Sequence, residues 1–309
     1  MPREIIIGTR ESKLALIQTN WVIEKLKELN IDCSFKIIGI KTKGDKMLDV
    51  ALSKIGDKGL FTKELELALV NKEIDMAVHS MKDLPTTQPE GLIIGAVCER
   101  INPCDVIVSK NGLKLDQLPE GARVGTSSLR RAAQLLNYRP DIEIQSIRGN
   151  IDTRLLKLEK EGFDTIVLAA AGLIRMNLEN RISEYISTEI CLPAVGQGSL
   201  GIEMRKDDNE IYDIIHKLNH PTSEAVITAE RSMLKCLEGG CQIPIGAFGQ
   251  VREARLELMG MVANPNGKQL LKAEVCGNIK DAQLLGQELA NILLDMGGKE
   301  ILNKLRLEK

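Results

Sequence analysis

The segment Leu237-Glu238-Gly239-Gly240-Cys241-Gln242-Ile243-Pro244-Ile245-Gly246 sets one thiol between a glycine pair and a proline. Glycine is costly inside a helix and proline lacks an amide hydrogen, so this stretch reads as a tight loop that ends a helix. Cysteine is the side chain best suited to a permanent covalent attachment, and Cys241 is placed to carry one. A buried loop cysteine acting as a small hydrophobe is the competing reading of these residues taken alone. Arginine placement is the second signal. Arg10 follows an apolar run, Arg130 and Arg131 follow Gly125-Thr126-Ser127-Ser128, and Arg148 precedes Gly149-Asn150. Arg154 falls in the first turn of the next helical pattern, and Arg175 follows a further strand pattern. Helix N-termini at such strand-to-helix junctions already offer unpaired N–H groups and a positive dipole end. Guanidinium forks there can hold several carboxylates or phosphates at once. Scattered surface ion pairs are the plainer alternative. The third signal is Asp83 in His79-Ser80-Met81-Lys82-Asp83-Leu84-Pro85, directly after an apolar strand pattern. A carboxylate there can pair with a cation, or shuttle a proton and stabilise developing positive charge. A turn or helix-start role is the alternative.

The elements that must position these groups alternate between strand and helix. Glu4–Gly8 is predicted as a strand. Ser12 caps a helix to about Leu29, with Leu14, Ile17, Trp21, Val22, Leu26 and Leu29 as its inward stripe. Ser34–Ile40 is a strand, and residues 41–59 lack periodicity and have the length of an active-site lid, with Lys54 and Lys58 as weak carboxylate contacts. A helix over Phe61–Val70 and strands over Asp75–His79 and Leu92–Cys98 follow. A second α/β unit has strands at 106–109, 123–125, 142–147 and 165–169. Its helices start after Thr126 or Ser127 as cap and at Ile151. Leu200–Met204 reads as a strand returning to the first unit. Two crossings, near residues 100 and 196, give a hinged two-lobe α/β binding fold, with ligand in an interdomain cleft at the carboxyl ends of strands. The expected domains are 1–99 with 197–217, then 100–196, then a C-terminal α+β domain over 218–309 that carries the Cys241 loop.

Composition narrows the function classes. The chain has 309 residues, a formal net charge of −2 and 3% aromatic residues. No global field favours a nucleic acid, and the arginines lack an aromatic stacking platform. The seven cysteines are odd in number and form no C-x-x-C, which points to a reducing, cytoplasmic compartment. No role is assigned to Cys104 or Cys191. No signal peptide or membrane span is expected. His79, His216 and His220 complete no ligand set, so no metal is expected.

Taken together, the motifs resemble the porphobilinogen deaminase, or hydroxymethylbilane synthase, family. The matching segments begin with Gly8-Thr9-Arg10-Glu11-Ser12-Lys13-Leu14-Ala15-Leu16, Gly59-Leu60-Phe61-Thr62-Lys63-Glu64-Leu65 and Ala77-Val78-His79-Ser80-Met81-Lys82-Asp83-Leu84-Pro85. They continue with Gly125-Thr126-Ser127-Ser128-Leu129-Arg130-Arg131, Arg148-Gly149-Asn150, Leu192-Pro193-Ala194-Val195-Gly196-Gln197-Gly198 and the Cys241 loop. One stretch departs from the family pattern: Ile101-Asn102-Pro103-Cys104-Asp105 stands where charged residues are commoner.

The resemblance implies two periplasmic-binding-protein-like lobes plus a third domain. It implies a dipyrromethane cofactor joined by a thioether to Cys241 and used as a primer. Four porphobilinogen units are added head to tail with loss of ammonia, and hydrolysis releases the linear tetrapyrrole hydroxymethylbilane. On this reading Asp83 stabilises the azafulvene cation left by ammonia loss. Lys82, Ser80, Ser128, Arg130 and Arg131 hold the cofactor's acid groups. Arg10, Ser12, Arg148, Arg154 and Arg175 bind substrate or chain carboxylates, and Phe61 stacks on a pyrrole or packs in the core. A monomer without nucleic-acid or membrane partners is expected. A non-enzymatic two-lobe protein for a small polycarboxylate is the alternative; it accounts for the arginines but leaves Asp83 and Cys241 without a purpose.

Overall fold

The computed structural model describes residues 3–46, 59–237 and 243–307. Cys241 lies outside the described residues, as do 47–58 of the expected lid, Lys54 and Lys58 among them. In chain order the strands are β1 (Arg3–Arg10), β2 (Cys33–Ile40), β3 (Met76–Ser80), β4 (Leu92–Val97), β5 (Asp105–Ser109), β6 (Arg123–Gly125) and β7 (Glu143–Gln145). They continue as β8 (Thr165–Ala169), β9 (Glu184–Tyr185), β10 (Leu200–Arg205), β11 (Ile245–Arg252), β12 (Arg255–Ala263) and β13 (Leu270–Asn278). The helices are α1 (Lys13–Glu28), α2 (Lys43–Lys46), α3 (Lys63–Val70), α4 (Leu129–Tyr138) and α5 (Ile151–Lys160). After them come α6 (Ala170–Arg175), α7 (Asn209–Ile215), α8 (Pro221–Cys236), α9 (Ala282–Leu293) and α10 (Lys299–Leu307).

The chain forms two compact units. One contains β1 to β4 and, through Gly198–Glu224, β10; the other contains Asn102–Gln197 and the residues from Ala225 onward. The first holds a five-stranded sheet in the order β2-β1-β3-β10-β4, and the second a five-stranded sheet in the order β7-β6-β8-β5-β9. In each, three strands run parallel, and the strand in the fourth place is antiparallel to its neighbours on both sides. These are the two α/β lobes the sequence implies. The parallel register, Gly8 opposite Ala77 and Gly125 opposite both Gln145 and Ile166, aligns the carboxyl ends of β1 and β3 on one edge and those of β6, β7 and β8 on another. Chain leaving those ends carries the candidate residues, as expected for sheets of this kind.

Burial on both faces explains the near-continuous apolar runs of the central strands. Met76, Ala77, Val78 and His79 of β3 are all buried. In β5, Val106 and Val108 pack into one apolar layer and Ile107 into the opposite one, as the period of two requires. The second unit also contains a three-stranded antiparallel sheet, β11-β12-β13. Its core is built from Met233, Leu258, Leu289 and Ile301, among others. Met261 and Ala263 of that sheet pack against Ala133 and Leu192, and Asn137 Nδ2 donates to the Gly267 carbonyl at 2.9 Å.

Three local expectations are corrected. Helix α1 is capped by Ser12, but its buried face is Ala15, Gln18, Thr19, Val22, Ile23 and Leu26. Trp21 and Leu29 stay 37% and 43% exposed, so the inward stripe is rotated from the most hydrophobic one. Gln18 turns inward because its amide exchanges hydrogen bonds with the Ser80 hydroxyl at 3.0 and 3.3 Å. Helix α4 is capped by Ser128, not by Thr126 or Ser127; Ser127 instead bonds Ser146 and the Ile147 carbonyl. Within 41–59, residues Lys43–Lys46 form a helical turn.

The rotated face gives a stability prediction. Leu26→Ala should cost about 2–5 kcal/mol in urea unfolding, whereas Trp21→Ser should stay within about 0.5 kcal/mol. Comparable losses in both would restore the original stripe.

Candidate active site

In the first lobe the carboxyl edge of the sheet presents Arg10, Ser12, Ser80, Lys82 and Asp83. Asp83 closes the 3-10 turn Met81–Asp83 that follows β3. This turn is fixed by its backbone: the Met81 amide donates to the Ser199 carbonyl at 3.0 Å, and Leu84 closes onto Met81 at 3.2 Å. Met81 and Leu84 are buried while Lys82 and Asp83 are half-buried, so the turn drives two apolar anchors inward and lifts the charged pair. None of the described residues gives the Asp83 carboxylate a hydrogen bond or ion pair.

Arg10, at the end of β1, is not open in the same way. Its Nε donates to Asp45 Oδ2 at 3.2 Å and its Nη2 to Asp45 Oδ1. The guanidinium also lies over the Phe61 ring, 4.2 Å from the centroid, a cation–π contact. Phe61 therefore supports Arg10. The Ser12 hydroxyl accepts from the Ala15 amide at 3.3 Å as the helix cap.

In the second lobe Arg130, Arg131, Arg148 and Arg154 lie where a parallel strand gives way to a helix, and Arg175 lies at the far end of the helix that follows β8. Ser128 caps α4 and starts the turn that contains Arg130 and Arg131. Both are buried, and both converge on Asp105, the first residue of β5. Arg130 Nη1 donates to Asp105 Oδ2 at 2.6 Å and to the Leu192 carbonyl at 2.6 Å. Arg131 donates from Nε and Nη2 to Asp105 Oδ1 at 3.0 and 2.7 Å, and from Nη1 to the Val167 carbonyl at 2.9 Å. Gln197 Nε2 adds a bond to Asp105 Oδ1 at 3.0 Å. Burial opposes ionisation of Asp105, but the two guanidinium charges and their hydrogen bonds outweigh it and hold the carboxyl far below the usual range. The neighbouring Cys191 thiol is pushed up to about 12, by burial first and by the Asp105 charge second, and stays protonated.

A second cationic group, Arg148 and Arg154, has no such counter-charge among the described residues. Asn150 caps α5 by accepting from the Thr153 amide at 2.8 Å, which fixes the first turn beside Arg148. Gly149 makes that junction possible: its φ is +118°, and a Cβ there would lie 2.6 Å from Thr153 Cγ2. The Gly149 carbonyl takes Arg154 Nε at 2.8 Å. Arg154 is lowered to about 10, by burial first and then by the charges of Arg131 and Arg148. Arg148 Nη1 is buried and lacks a hydrogen-bond partner. Arg154, desolvated beside the charges of Arg131 and Arg148, and the orphan donor of Arg148 together make a candidate anion site. Arg175, which ends α6, is half-buried.

Sequence reasoning missed Asp105, Asp45 and Gln18. Asp105 does carry a faint signal, being an acid at the head of the otherwise apolar run Asp105-Val106-Ile107-Val108.

The fold and site define an α/β protein of two lobes with an open carboxylate on one sheet edge and a cluster of arginines on another. Comparison with known proteins makes this specific. Residues 5–213 match the family model described as porphobilinogen deaminase, dipyromethane cofactor binding domain, and residues 225–295 match the porphobilinogen deaminase C-terminal domain. The chain is 58% identical over 309 residues to the porphobilinogen deaminase of Pelotomaculum thermopropionicum, covering 100% of this chain and 99% of the relative. It is 56% identical over 306 residues to that of Desulforamulus reducens, with 99% of each covered. The chain belongs to the porphobilinogen deaminase family. Among solved structures it is similar to the periplasmic VFT2 domain of Bordetella pertussis BvgS, with a TM-score of 0.41 and 17% identity over 70% of this chain and 86% of that one. It is also similar to the probable amino-acid ABC transporter extracellular-binding protein ytmK of Bacillus subtilis, with a TM-score of 0.43 and 13% identity over 71% and 90%.

Removing the shared counter-charge should be severe. Asp105→Asn strands two buried guanidinium groups and should cost about 3–5 kcal/mol at neutral pH. The Asp105 carboxyl sits lower in the folded state than in the unfolded chain, so its stabilisation is complete above the ordinary carboxylate range. It drains away as pH falls below about 4. Denaturant unfolding across pH should therefore show wild type and variant far apart at neutrality and converging in acid. A gap independent of pH would contradict the assignment.

Proposed function

We propose that the two sets of residues divide the family's reaction between them. The enzyme is a transferase, a porphobilinogen deaminase, that condenses porphobilinogen head to tail with release of ammonia and frees the linear tetrapyrrole by hydrolysis. It acts with a dipyrromethane cofactor. The second lobe's residues suit that group. Two pyrroles carry an acetate and a propionate each, and Ser128, Arg130 and Arg131 gather at the start of α4 with two guanidinium charges set against the single carboxylate of Asp105. When bound, the cofactor supplies the primer to which pyrrole units are joined, and its thioether is assigned to Cys241.

Each remaining role follows from the chemistry of the side chain. Ser80, Lys82, Ser128, Arg130 and Arg131 are assigned to the cofactor's carboxylates, with Asp105 fixing the two arginines in place. Arg10, Ser12, Arg148, Arg154 and Arg175 are assigned to carboxylates of the substrate and growing chain. Phe61 supports Arg10 from below. Asp83 is the catalytic acid–base group. It accepts hydrogen bonds from pyrrole N–H groups, stabilises the positive charge that develops as the substrate's C–N bond breaks and ammonia leaves, and takes up the proton lost when the new C–C bond forms. The observation that carries this is the Asp83 carboxylate itself, half-buried on an anchored turn and engaged by none of the described residues.

We place the protein in the cytoplasm as a monomer without nucleic-acid or membrane partners. The odd cysteine count and the near-zero net charge support this reading. The six described cysteines are all free, and no helix among the described residues is long and apolar enough to cross a membrane.

Asp83→Asn keeps size and removes charge. It should retain the fold and lower kcat by about 10²- to 10⁴-fold, with melting temperature as the folding control. Turnover near wild type in a folded variant would remove Asp83 from the mechanism.

A further inference from the structure

Arg10 has an occupant already. Its Nε and Nη2 meet the two carboxylate oxygens of Asp45, which is the bidentate geometry a ligand carboxylate would adopt. The aspartate side chain is a methylene bearing a carboxylate. It therefore presents the same terminal group as the acetate arm of a porphobilinogen pyrrole.

This occupant is held in position independently of Arg10. Thr42 donates to Asp45 Oδ2 from its hydroxyl at 2.7 Å and from its amide at 3.3 Å, and Thr42 is fully buried. The turn itself is locked down by the two residues before Asp45. The Gly44 amide donates to the Leu60 carbonyl at 2.9 Å, and the Lys43 amide donates to Glu64 Oε1 at 3.0 Å. A Cβ at Gly44 would lie 2.2 Å from the Phe61 ring, so only glycine lets the turn sit on the ring that also carries Arg10. The ion pair is nevertheless reachable from solvent, with the Arg10 and Asp45 side chains 23% and 25% exposed. Part-exposed pairs of this kind are weak, so a stronger polycarboxylate ligand can replace one partner.

We infer that Asp45 is a resident carboxylate that competes with a substrate carboxylate for the Arg10 fork and thereby sets the enzyme's affinity for porphobilinogen. The inference rests on the assignment of Arg10 to a substrate carboxylate. Exchange at Arg10 then swaps one acid for another, which keeps the guanidinium neutralised whether or not substrate is present. The competing geometry is a substrate that docks on the remaining edge of Arg10 while Asp45 stays and orients it.

The test is the KM for porphobilinogen, measured with holoenzyme for wild type, Asp45→Asn, Asp45→Ala, Arg10→Leu and the Arg10→Leu/Asp45→Asn double variant. Asp45→Asn keeps the shape, and Asp45→Ala removes any amide that could still bond Arg10. Both should lower KM, by about two- to fivefold. The effect should vanish in the Arg10→Leu background, where KM is raised whether or not Asp45 is present. A rise in KM for both Asp45 variants would overturn the competitor role in favour of orientation. No change in either, alongside a raised KM for Arg10→Leu, would overturn it while leaving the role of Arg10 standing. An unchanged KM for Arg10→Leu itself would overturn the underlying assignment and the inference with it.

Discussion

The second lobe depends on one buried carboxylate held between two guanidinium groups. Arg130 and Arg131 are adjacent in sequence at a helix start, where the helix dipole adds further positive potential. Left alone they would repel each other and stay solvated. Asp105 takes both, and Gln197, the Leu192 and Val167 carbonyls and the protonated Cys191 thiol complete the shell. Such a cluster has little net worth against an apolar core of equal volume, but removing one member strands the others. Its consequence is geometric: the start of α4 is pinned to β5, and one acid holds two arginines, leaving one positive charge over. The arginines next in line, Arg148 and Arg154, have no counter-charge among the described residues. The anion site proposed for this lobe draws on that excess of positive charge.

The first lobe uses the opposite arrangement. Its cation, Arg10, is matched by Asp45, and its acid, Asp83, is left open on a turn whose flanking residues are buried. Together the two arrangements suit a substrate that brings several carboxylates and passes through a cation. On the proposed reading the arginines receive the former and the Asp83 carboxylate meets the latter.

Much of this was legible in the residues. Strand-to-helix alternation gave two lobes, because parallel strands buried on both faces read as apolar runs and their helices as capped periodic segments. Asp83, Arg148 and Arg154 could be placed at sheet edges from that pattern alone. What could not be read were pairings between distant residues. Asp105 stands 25 positions from Arg130, and Asp45 stands 35 from Arg10. Neither local pattern marks its partner. The face of α1 was misjudged for a related reason. Hydrophobicity pointed to Trp21, while the hydrogen bonds of Gln18, a polar residue buried through its contact with Ser80, decided the rotation. The choice of Ser128 as cap over Thr126 and Ser127 turned on which of three similar side chains reached the Arg131 amide.

We propose that the chain carries a polycarboxylate primer bound to itself through Cys241. The most direct test is the intact mass of the purified chain, incubated with porphobilinogen, beside Cys241→Ser treated alike. The account predicts an added mass equal to two linked pyrroles in the wild type, growing by single pyrrole units with substrate, and none in the variant. A wild-type chain that stays unmodified after incubation, or an adduct that survives Cys241→Ser, would contradict it.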